Sequence, residues 1–256
     1  MATNVKHESR EAYQASHTPD KIASRLEQGP GSVYLRDFVY GAVDGAITTF
    51  AIVAGVAGAG LSAGVIIILG FANLIADGFS MGVSNFLGTR AENQLREQTR
   101  ARELDEIRKF PEGEREEIRQ IYAGKGFDGE LLDQVVEVIT SDADRWADTM
   151  LQEEHGMTLQ HHDAMRAGLA TFVAFSVVGL VPLLPYLANW IQPGFVAQTF
   201  LWSSILTGIA FFWVGAQKAR FVNQRRRIGG IETVAIGGFA AGMAYFIGAL
   251  LKGLVE

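Results

Sequence analysis

The sequence predicts an all-α integral membrane protein with five transmembrane helices and one charged helical insertion between the second and third. Five long segments carry almost no charge, and uncharged stretches of about 18 residues or more are typical of helices that cross a bilayer. No segment shows the strict alternation that a membrane β-barrel requires. Charge is instead concentrated in residues 90–166, which hold 19 acidic and 11 basic residues.

The first two predicted spans each contain one acidic residue. The first covers about residues 38–60 with Asp44 as its only charge, and the second covers about residues 61–88 with Asp77 as its only charge. The other three hold no charged residue. Each span is long enough to cross a hydrocarbon core of about 30 Å as a helix. The last three spans cover about residues 167–190, 195–217 and 233–251.

Basic residues alternate between the connections of the predicted spans. Lys and Arg occur before the first span, between the second and third, and between the fourth and fifth, whereas the other two connections have none. Because basic loops stay in the cytoplasm, we expect a cytoplasmic N-terminus and a C-terminus on the opposite side. The expected organisation is a cytoplasmic tail at 1–36, two spans at 37–89, a cytoplasmic helical domain at 90–164 and three spans at 165–256.

Glycines recur four residues apart in three of the spans. Small residues at this spacing let helix backbones approach closely in lipid, although glycine is also simply common in membrane helices. The pairs are Gly41 with Gly45, Gly78 with Gly82, and Gly238 with Gly242.

The insertion is expected to form four helical stretches. The helix of the second span continues to about Lys109 and stops before Pro111, which is an acceptable first residue for the next helix. A third helix starts after Asp128. Ser141 and Asp144 resemble a capping box at the start of a fourth.

Asp44 and Asp77 are candidate pathway residues. A charge at mid-bilayer costs about 2.5 to 3.5 kcal/mol on insertion scales, and such residues usually face an ion route. A position near the interface, or a protonated state, is the alternative. Asn73, Asp77 and Met81 fall at i, i+4 and i+8 and share one helix stripe. Their amide, carboxylate and thioether favour a transition metal, but a buried methionine is more often packing, so the stripe alone is a weak signal.

Paired acids in the insertion predict a second metal site. Two glutamate pairs, each spaced i, i+3, flank the turn at Pro111 and could form one carboxylate cluster. A methionine and a glutamate on a later helix could close it. Solvated surface glutamates are the alternative at this stage. The candidates are Glu103, Glu106, Glu114, Glu117, Met150 and Glu154.

Several patterns are missing from the sequence. It has no Glu-x-x-His pair for a di-iron site, no phosphate-cradling glycine loop and no catalytic triad pattern. We therefore expect neither an enzyme nor a prosthetic group, and nothing indicates a nucleic-acid partner. His155, His161 and His162 are interpreted as solvated surface residues in preference to accessory metal ligands.

Three segments carry a resemblance to a known family. VYGAVDGAITTFAIVAGVAGA, ANLIADGFSMGVSNFLGTRAE and GLVPLLPYL resemble the vacuolar iron transporter family, which includes the yeast calcium-cross-complementing relatives. The similarity covers about residues 36–254. It implies export of iron(II) from the cytoplasm, usually in exchange for protons, by a homodimer whose pathway lies at the subunit interface. It also implies transport of manganese(II) and other divalent ions.

The resemblance also implies roles for individual residues. Asp44 and Met81 match residues that line the family's pathway, and the six insertion candidates match its cytoplasmic metal-binding domain. The sequence departs from the plant pattern at three positions. Asn73 replaces a glutamate, Asp77 stands where a small residue is expected, and Leu151 replaces a methionine.

The expected function is therefore a proton-coupled exporter of iron(II) in a lipid bilayer, with manganese(II) and zinc(II) as further candidate ions. The membrane would be the cell's inner membrane in a bacterium and a vacuolar-type membrane in a eukaryote. One alternative is a metal sensor or storage-associated membrane protein that binds metal without moving it. Another is a helical membrane scaffold.

Overall fold

The computed structural model describes residues 10–28, 34–221 and 224–254. Within these residues the protein is helical and contains no β-strand. Two short 3₁₀ turns accompany the α-helices. The helices are α1 Arg10–Ser16, α2 Pro19–Gln28, α3 Leu35–Gly58, α4 Ala63–Lys109, α5 Pro111–Gly124, α6 Gly129–Thr140, α7 Ala143–Glu153, α8 Ala164–Gly179, α9 Leu184–Ile191, α10 Thr199–Phe221 and α11 Arg226–Leu251, and the 3₁₀ turns are Val181–Leu183 and Lys252–Leu254.

The chain divides into two compact units. The membrane unit consists of Met1–Phe86 and Met165–Glu256, and the insertion unit consists of Leu87–Ala164. Helix α4 has 47 residues and contributes to both units. The prediction that this helix continues unbroken to Lys109 and stops before Pro111 is confirmed.

Five helical stretches are long and apolar enough to cross a membrane, as the sequence predicts. Their most apolar windows have mean hydropathies from 1.5 to 2.2. Burying such surface in lipid avoids the large cost of exposing it to water. The stretches are Leu35–Gly58, Ala63–Lys109, Ala164–Ile191, Thr199–Arg220 and Arg226–Leu251.

The third stretch is not one continuous helix, although the sequence analysis treats it as a single span. Helix α8 ends at Gly179, a 3₁₀ turn follows, and α9 begins at Leu184. Pro182 and Pro185 lie at this break, where each proline removes one backbone donor from the helix ladder. The Ser203 hydroxyl of α10 donates a 2.6 Å hydrogen bond to the Pro182 carbonyl oxygen. The break therefore leaves a carbonyl that a neighbouring helix satisfies.

The first of the three glycine pairs lies at a contact between two helices. A Cβ added at Gly41 or Gly45 would collide with the backbone carbonyl of Thr171 or Phe175 on α8. These glycines therefore permit the close packing of α3 against α8.

The other two pairs differ from each other. A Cβ at Gly78 would lie 3.0 Å from the Phe175 ring, and one at Gly82 would lie 3.0 Å from the Gly168 carbonyl oxygen. Gly238 and Gly242 of α11 have no neighbouring atom within 4 Å. The expectation of close packing is thus met for the α4 pair but not for the α11 pair within the described part of the chain.

The start of α7 differs from the expected capping box. Asp142 occupies the N-cap, and its carboxylate accepts a 2.8 Å hydrogen bond from the Arg145 amide. Ser141 lies one residue earlier and donates its hydroxyl to the Val138 carbonyl oxygen instead. Aspartate and serine are comparable caps, so the sequence pattern alone does not decide between neighbouring candidates.

The insertion unit has its own apolar core, formed by one face each of α4, α5, α6 and α7. Ile118, Val136, Ala147 and Met150 are almost fully buried there. This core holds α4 beside α5 and α7, the three helices that carry the predicted metal-site residues.

Candidate functional site

Carboxylates of α4 and α5 converge in the insertion unit. One oxygen each of Glu103, Glu106 and Glu114 lies within 4.8 Å of the other two. Glu103 and Glu106 share a face of α4 because residues three apart are neighbours on a helix. The turn at Pro111 then reverses the chain and places Glu114 of α5 opposite them.

A second group of three possible ligand residues also includes Glu103. Carboxylate oxygens of Glu103 and Glu154 and a ring nitrogen of His155 also lie within 4.8 Å of one another. Glu154 caps the C-terminus of α7 and is exposed, and His155 follows it directly. The two groups together form the acidic cluster, which comprises Glu103, Glu106, Glu114, Glu154 and His155.

Two carboxylates of the acidic cluster are buried without full hydrogen bonding. Glu103 is 1% exposed and Glu114 is 7% exposed. The Oε2 atom of each is buried and has no hydrogen-bond partner. A buried charge without a partner is costly, and proteins normally resolve it by pairing or by coordinating a metal ion. These oxygens therefore fit a cation between the glutamates.

Burial and electrostatic repulsion raise the pKa values of Glu114 and Glu117. Burial, followed by the charges of Glu117, Glu103, Glu106 and Glu154, raises the pKa of Glu114 from 4.5 to about 7. Loss of water contact and the charges of Glu154, Glu103 and Glu106 also raise the pKa of Glu117. The exposed Glu117 is thus close enough to interact with the cluster, and a divalent cation would relieve the repulsion.

Basic side chains neutralise only the rim of the cluster. Arg102 donates a 3.1 Å hydrogen bond to Glu106 and forms an ion pair with it. Lys125 pairs with Glu153, next to Glu154 in sequence. The ion pairs found among the described residues do not give Glu103 or Glu114 a lysine or arginine partner.

Met150 is fully buried in the core of the insertion unit. It lies one turn before Glu154 on α7. This burial supports a packing role, and its proposed thioether contact with a metal stays a prediction. The next residue, Leu151, is also fully buried.

His155 is the cluster residue that the sequence interpretation misplaces. Its Nε2 atom lies 2.9 Å from Glu103 Oε1, and its side chain is 21% exposed. The interpretation as a solvated surface histidine is therefore wrong for His155. His161 is exposed and instead contacts Arg96. The signal available in the sequence was the position of His155 directly after Glu154, on the same helix terminus.

In the membrane unit, Asn73 is a buried hydrogen-bond donor. Its Nδ2 atom donates to the hydroxyls of Thr48 at 3.2 Å and Thr49 at 3.1 Å. Thr48 in turn donates to the backbone carbonyl oxygen of Asp44 at 2.9 Å. Asn73 of α4 is therefore tied to the segment of α3 that follows Asp44.

The two acids of the predicted spans differ in exposure. Asp44 on α3 is partly buried, whereas Asp77 on α4 is exposed. Met81 is partly buried against the core of the membrane unit. The three α4 residues of the predicted stripe thus range from buried to exposed.

A third acid of the membrane unit, Asp37, is not among the site residues predicted from the sequence. Asp37 is 6% exposed, and its Oδ1 accepts a 3.0 Å hydrogen bond from Asn85 of α4. Asn85 also donates to Thr171 Oγ1 at 2.8 Å. The available signal was spacing, because Asp37 precedes Asp44 by two helical turns and so shares its face.

Comparison with known proteins identifies the family and several relatives of this chain. The model of the VIT family matches residues 35–249. A vacuolar iron transporter of Plasmodium falciparum (isolate 3D7) is 31% identical over 250 residues, which cover 95% of this chain and 91% of that protein. Vacuolar iron transporter 1 of Tulipa gesneriana is 31% identical over 212 residues, covering 82% of this chain and 84% of the relative. The protein of the same name from Arabidopsis thaliana is 30% identical over 222 residues, covering 85% of this chain and 86% of that relative.

The match includes both the predicted spans and the insertion between them. The relatives are named as transporters, so the prediction of a protein that is not an enzyme is confirmed. The resemblance inferred from the sequence motifs is confirmed as well. This chain is a member of the VIT family.

Proposed function

We propose that this protein transports divalent metal ions across a membrane, with iron(II) as the main substrate. The single observation that carries the proposal is the presence of one acid each, Asp44 and Asp77, in the apolar parts of two helices that are able to span a bilayer. Ionisable residues in such helices usually mark an ion pathway. The naming of the relatives as vacuolar iron transporters supports the choice of ion.

The acidic cluster is the proposed collecting site. It offers carboxylate oxygens, of which two are buried and unpartnered. Carboxylate oxygens bind hard and borderline divalent ions. In the proposal the cluster captures the ion from the cytoplasm, and Asp44, Asn73, Asp77 and Met81 conduct it through the membrane. Manganese(II) and zinc(II) are candidate substrates because the same ligands bind them.

Proton exchange is the proposed driving reaction. Metal binding requires deprotonated carboxylates, so protons and metal compete for the same groups. An acidic compartment on the far side would protonate the pathway acids and release the metal there. The proposed direction is therefore out of the cytoplasm. It requires the N-terminal tail and the insertion unit to lie on the cytoplasmic side, which the distribution of Lys and Arg supports.

A homodimer is part of the proposal because of the exposed face of α4. Asp77 is exposed on the protomer at a position where a carboxylate facing lipid would be costly. The residues next to it at four-residue spacing are all small and exposed, and such stripes allow two membrane helices to pack closely. We propose that a second copy covers this face and shields Asp77. The stripe consists of Ala72, Ala76, Ser80 and Ser84.

Disulfide trapping tests the homodimer. The chain has no cysteine, so Ala76→Cys introduces one thiol at the centre of the stripe. Oxidation of this variant in membranes should give a covalent dimer. Val177→Cys on the exposed face of α8 is the matched control and should stay monomeric. Absence of a dimer for Ala76→Cys would contradict packing through this stripe.

The transport proposal is tested by flux into proteoliposomes that contain the purified full chain. With an acidic lumen, iron(II) added outside should enter and the lumen should become more alkaline. Dissipating the proton gradient should stop net entry. Parallel measurements with manganese(II) and zinc(II) rank the substrates. Metal binding without flux under any gradient would instead support the sensor or storage alternative.

A further inference from the structure

His155 occupies a position that the carboxylate cluster alone does not explain. We infer that His155 is a direct nitrogen ligand which, with Glu103 and Glu154, binds a transition-metal ion at one side of the acidic cluster. This inference rests on the proposed function, because it concerns the same collecting site. It goes further by specifying which chemical class of divalent ion the cluster selects.

The distances between the ligand atoms match a shared ion. His155 Nε2 lies 2.9 Å from Glu103 Oε1 and 3.6 Å from Glu154 Oε2. Ligands at bond lengths of about 2.1 Å stand about 3.0 Å apart at right angles and about 3.4 Å apart at tetrahedral angles. The two separations from His155 Nε2 are therefore close to those of neighbouring ligands around one cation, and the three residues offer ligand atoms within 4.8 Å of one another.

Glu103 connects this side of the cluster to the other. Its Oε1 contacts His155, whereas its Oε2 is buried and unpartnered. Glu103 also belongs to the group with Glu106 and Glu114. His155 thus satisfies only one oxygen of this buried carboxylate, and a cation would supply the second oxygen with a partner.

The backbone holds His155 in place for this role. The amide of His155 donates a 3.2 Å hydrogen bond to the Met150 carbonyl oxygen, and the amide of Glu154 donates to the same oxygen at 3.0 Å. These bonds extend the C-terminal turn of α7. Since Met150 is buried in the core, the backbone that carries the imidazole ring is anchored to that core.

A nitrogen ligand changes the selectivity of the site. Imidazole binds iron(II), cobalt(II), nickel(II) and zinc(II) well, whereas magnesium and calcium prefer oxygen ligands alone. Carboxylates by themselves also bind magnesium and calcium. His155 therefore favours transition metals at a cluster that would otherwise accept alkaline-earth ions.

Pulsed electron paramagnetic resonance of bound manganese(II) tests direct ligation. The full chain in detergent receives one equivalent of manganese(II), and the spectrum should show modulation from a coordinated imidazole ¹⁴N. Labelling the unchanged protein with ¹⁵N-histidine should replace this signal with that of ¹⁵N. His155→Gln should abolish it, and His161→Gln, outside the cluster, should retain it.

Competition binding provides the second readout. His155→Gln should weaken zinc(II) binding by about 10- to 100-fold while changing calcium binding by less than about twofold, since calcium needs no nitrogen ligand. Bound manganese(II) without nitrogen modulation in the unchanged protein would overturn the inference and leave a carboxylate-only site. Failure of both manganese(II) and zinc(II) to bind would overturn the collecting site of the proposed function as well.

Discussion

The two units of this protein hold their acidic residues in different ways. In the insertion unit, Glu103 and Glu114 are buried and lie beside other candidate metal ligands of the same chain. In the membrane unit, Asp77 is exposed and Asp44 is partly buried. The first arrangement can bind an ion within one chain. The second requires either a water-filled path or a second copy to shield its charge.

In the proposed function, this difference separates capture of the ion from its conduction. A capture site gains from several carboxylates fixed close together, because their mutual repulsion is relieved when a cation binds. A conduction path must instead release the ion, so fewer and more accessible ligands suit it. Substitutions in the two units should therefore affect binding and flux separately.

The largest expected effect of a single change is on flux through the membrane unit. Asp77→Asn keeps the side-chain volume but removes the charge, and iron(II) flux in proteoliposomes should fall by about 100-fold, at the upper end of what a lost metal contact costs. Binding of metal to the detergent-solubilised protein should change little, because the acidic cluster is intact.

The control is Glu232→Gln, which replaces an exposed acid of the membrane unit near Lys218 and should transport normally. Equal flux in both variants would make Asp77 an ordinary surface acid.

A smaller effect is expected on binding by the insertion unit. Glu103→Gln should weaken zinc(II) binding by at least about 10-fold, as measured by calorimetry on the full chain. The same variant should melt at a higher temperature than the unchanged protein when metal is absent, because a buried and partly unpaired charge is gone. Glu137→Gln on the exposed face of α6 provides the control. Unchanged zinc(II) binding in Glu103→Gln would show that Glu103 is not a metal ligand.

The smallest expected effect is a pH dependence that originates at Glu114. Its pKa rises from 4.5 to about 7 in the folded protein. Between about pH 4.5 and pH 7, the folded protein therefore keeps a proton on Glu114 that the unfolded protein has lost. The stability of the metal-free protein should therefore decrease as pH rises from about 4.5 to about 7. Metal affinity should increase over the upper part of this range, because binding requires loss of the proton.

Thermal unfolding and zinc(II) titration across this pH range check both trends. Glu114→Gln cannot titrate at this position and should flatten both, whereas Glu137→Gln should leave them unchanged. A metal affinity that does not vary between pH 6 and pH 8 would show that Glu114 does not compete with the ion.

Local patterns were sufficient to predict most of the fold. Hydropathy alone identified the five apolar stretches, since lipid imposes the same requirement on every spanning residue. The helix boundary at Lys109 and Pro111 followed from the geometry of proline. Helical spacing also predicted which faces of α4 and α5 carry Glu103 and Glu114, and the structure brings these residues together.

The remaining features depend on tertiary contacts that no local pattern reports. Whether prolines in the third stretch merely bend or fully interrupt the helix depends on a partner such as Ser203 for the freed carbonyl. His155 enters the cluster through contact with Glu103, 52 residues away in sequence. Asp37 is buried through Asn85 of another helix. Burial of a polar side chain is therefore the property that sequence reasoning predicted least well here.

The central claim is that acids within the spanning helices carry the metal ion. Its most direct test is iron(II) flux in proteoliposomes that contain Asp44→Ala or Asp44→Glu, with insertion of each variant verified by its resistance to carbonate extraction. We expect Asp44→Ala to lose flux while it remains inserted, and Asp44→Glu to retain part of it because a carboxylate is still present. Normal proton-dependent iron(II) flux in Asp44→Ala would contradict the claim.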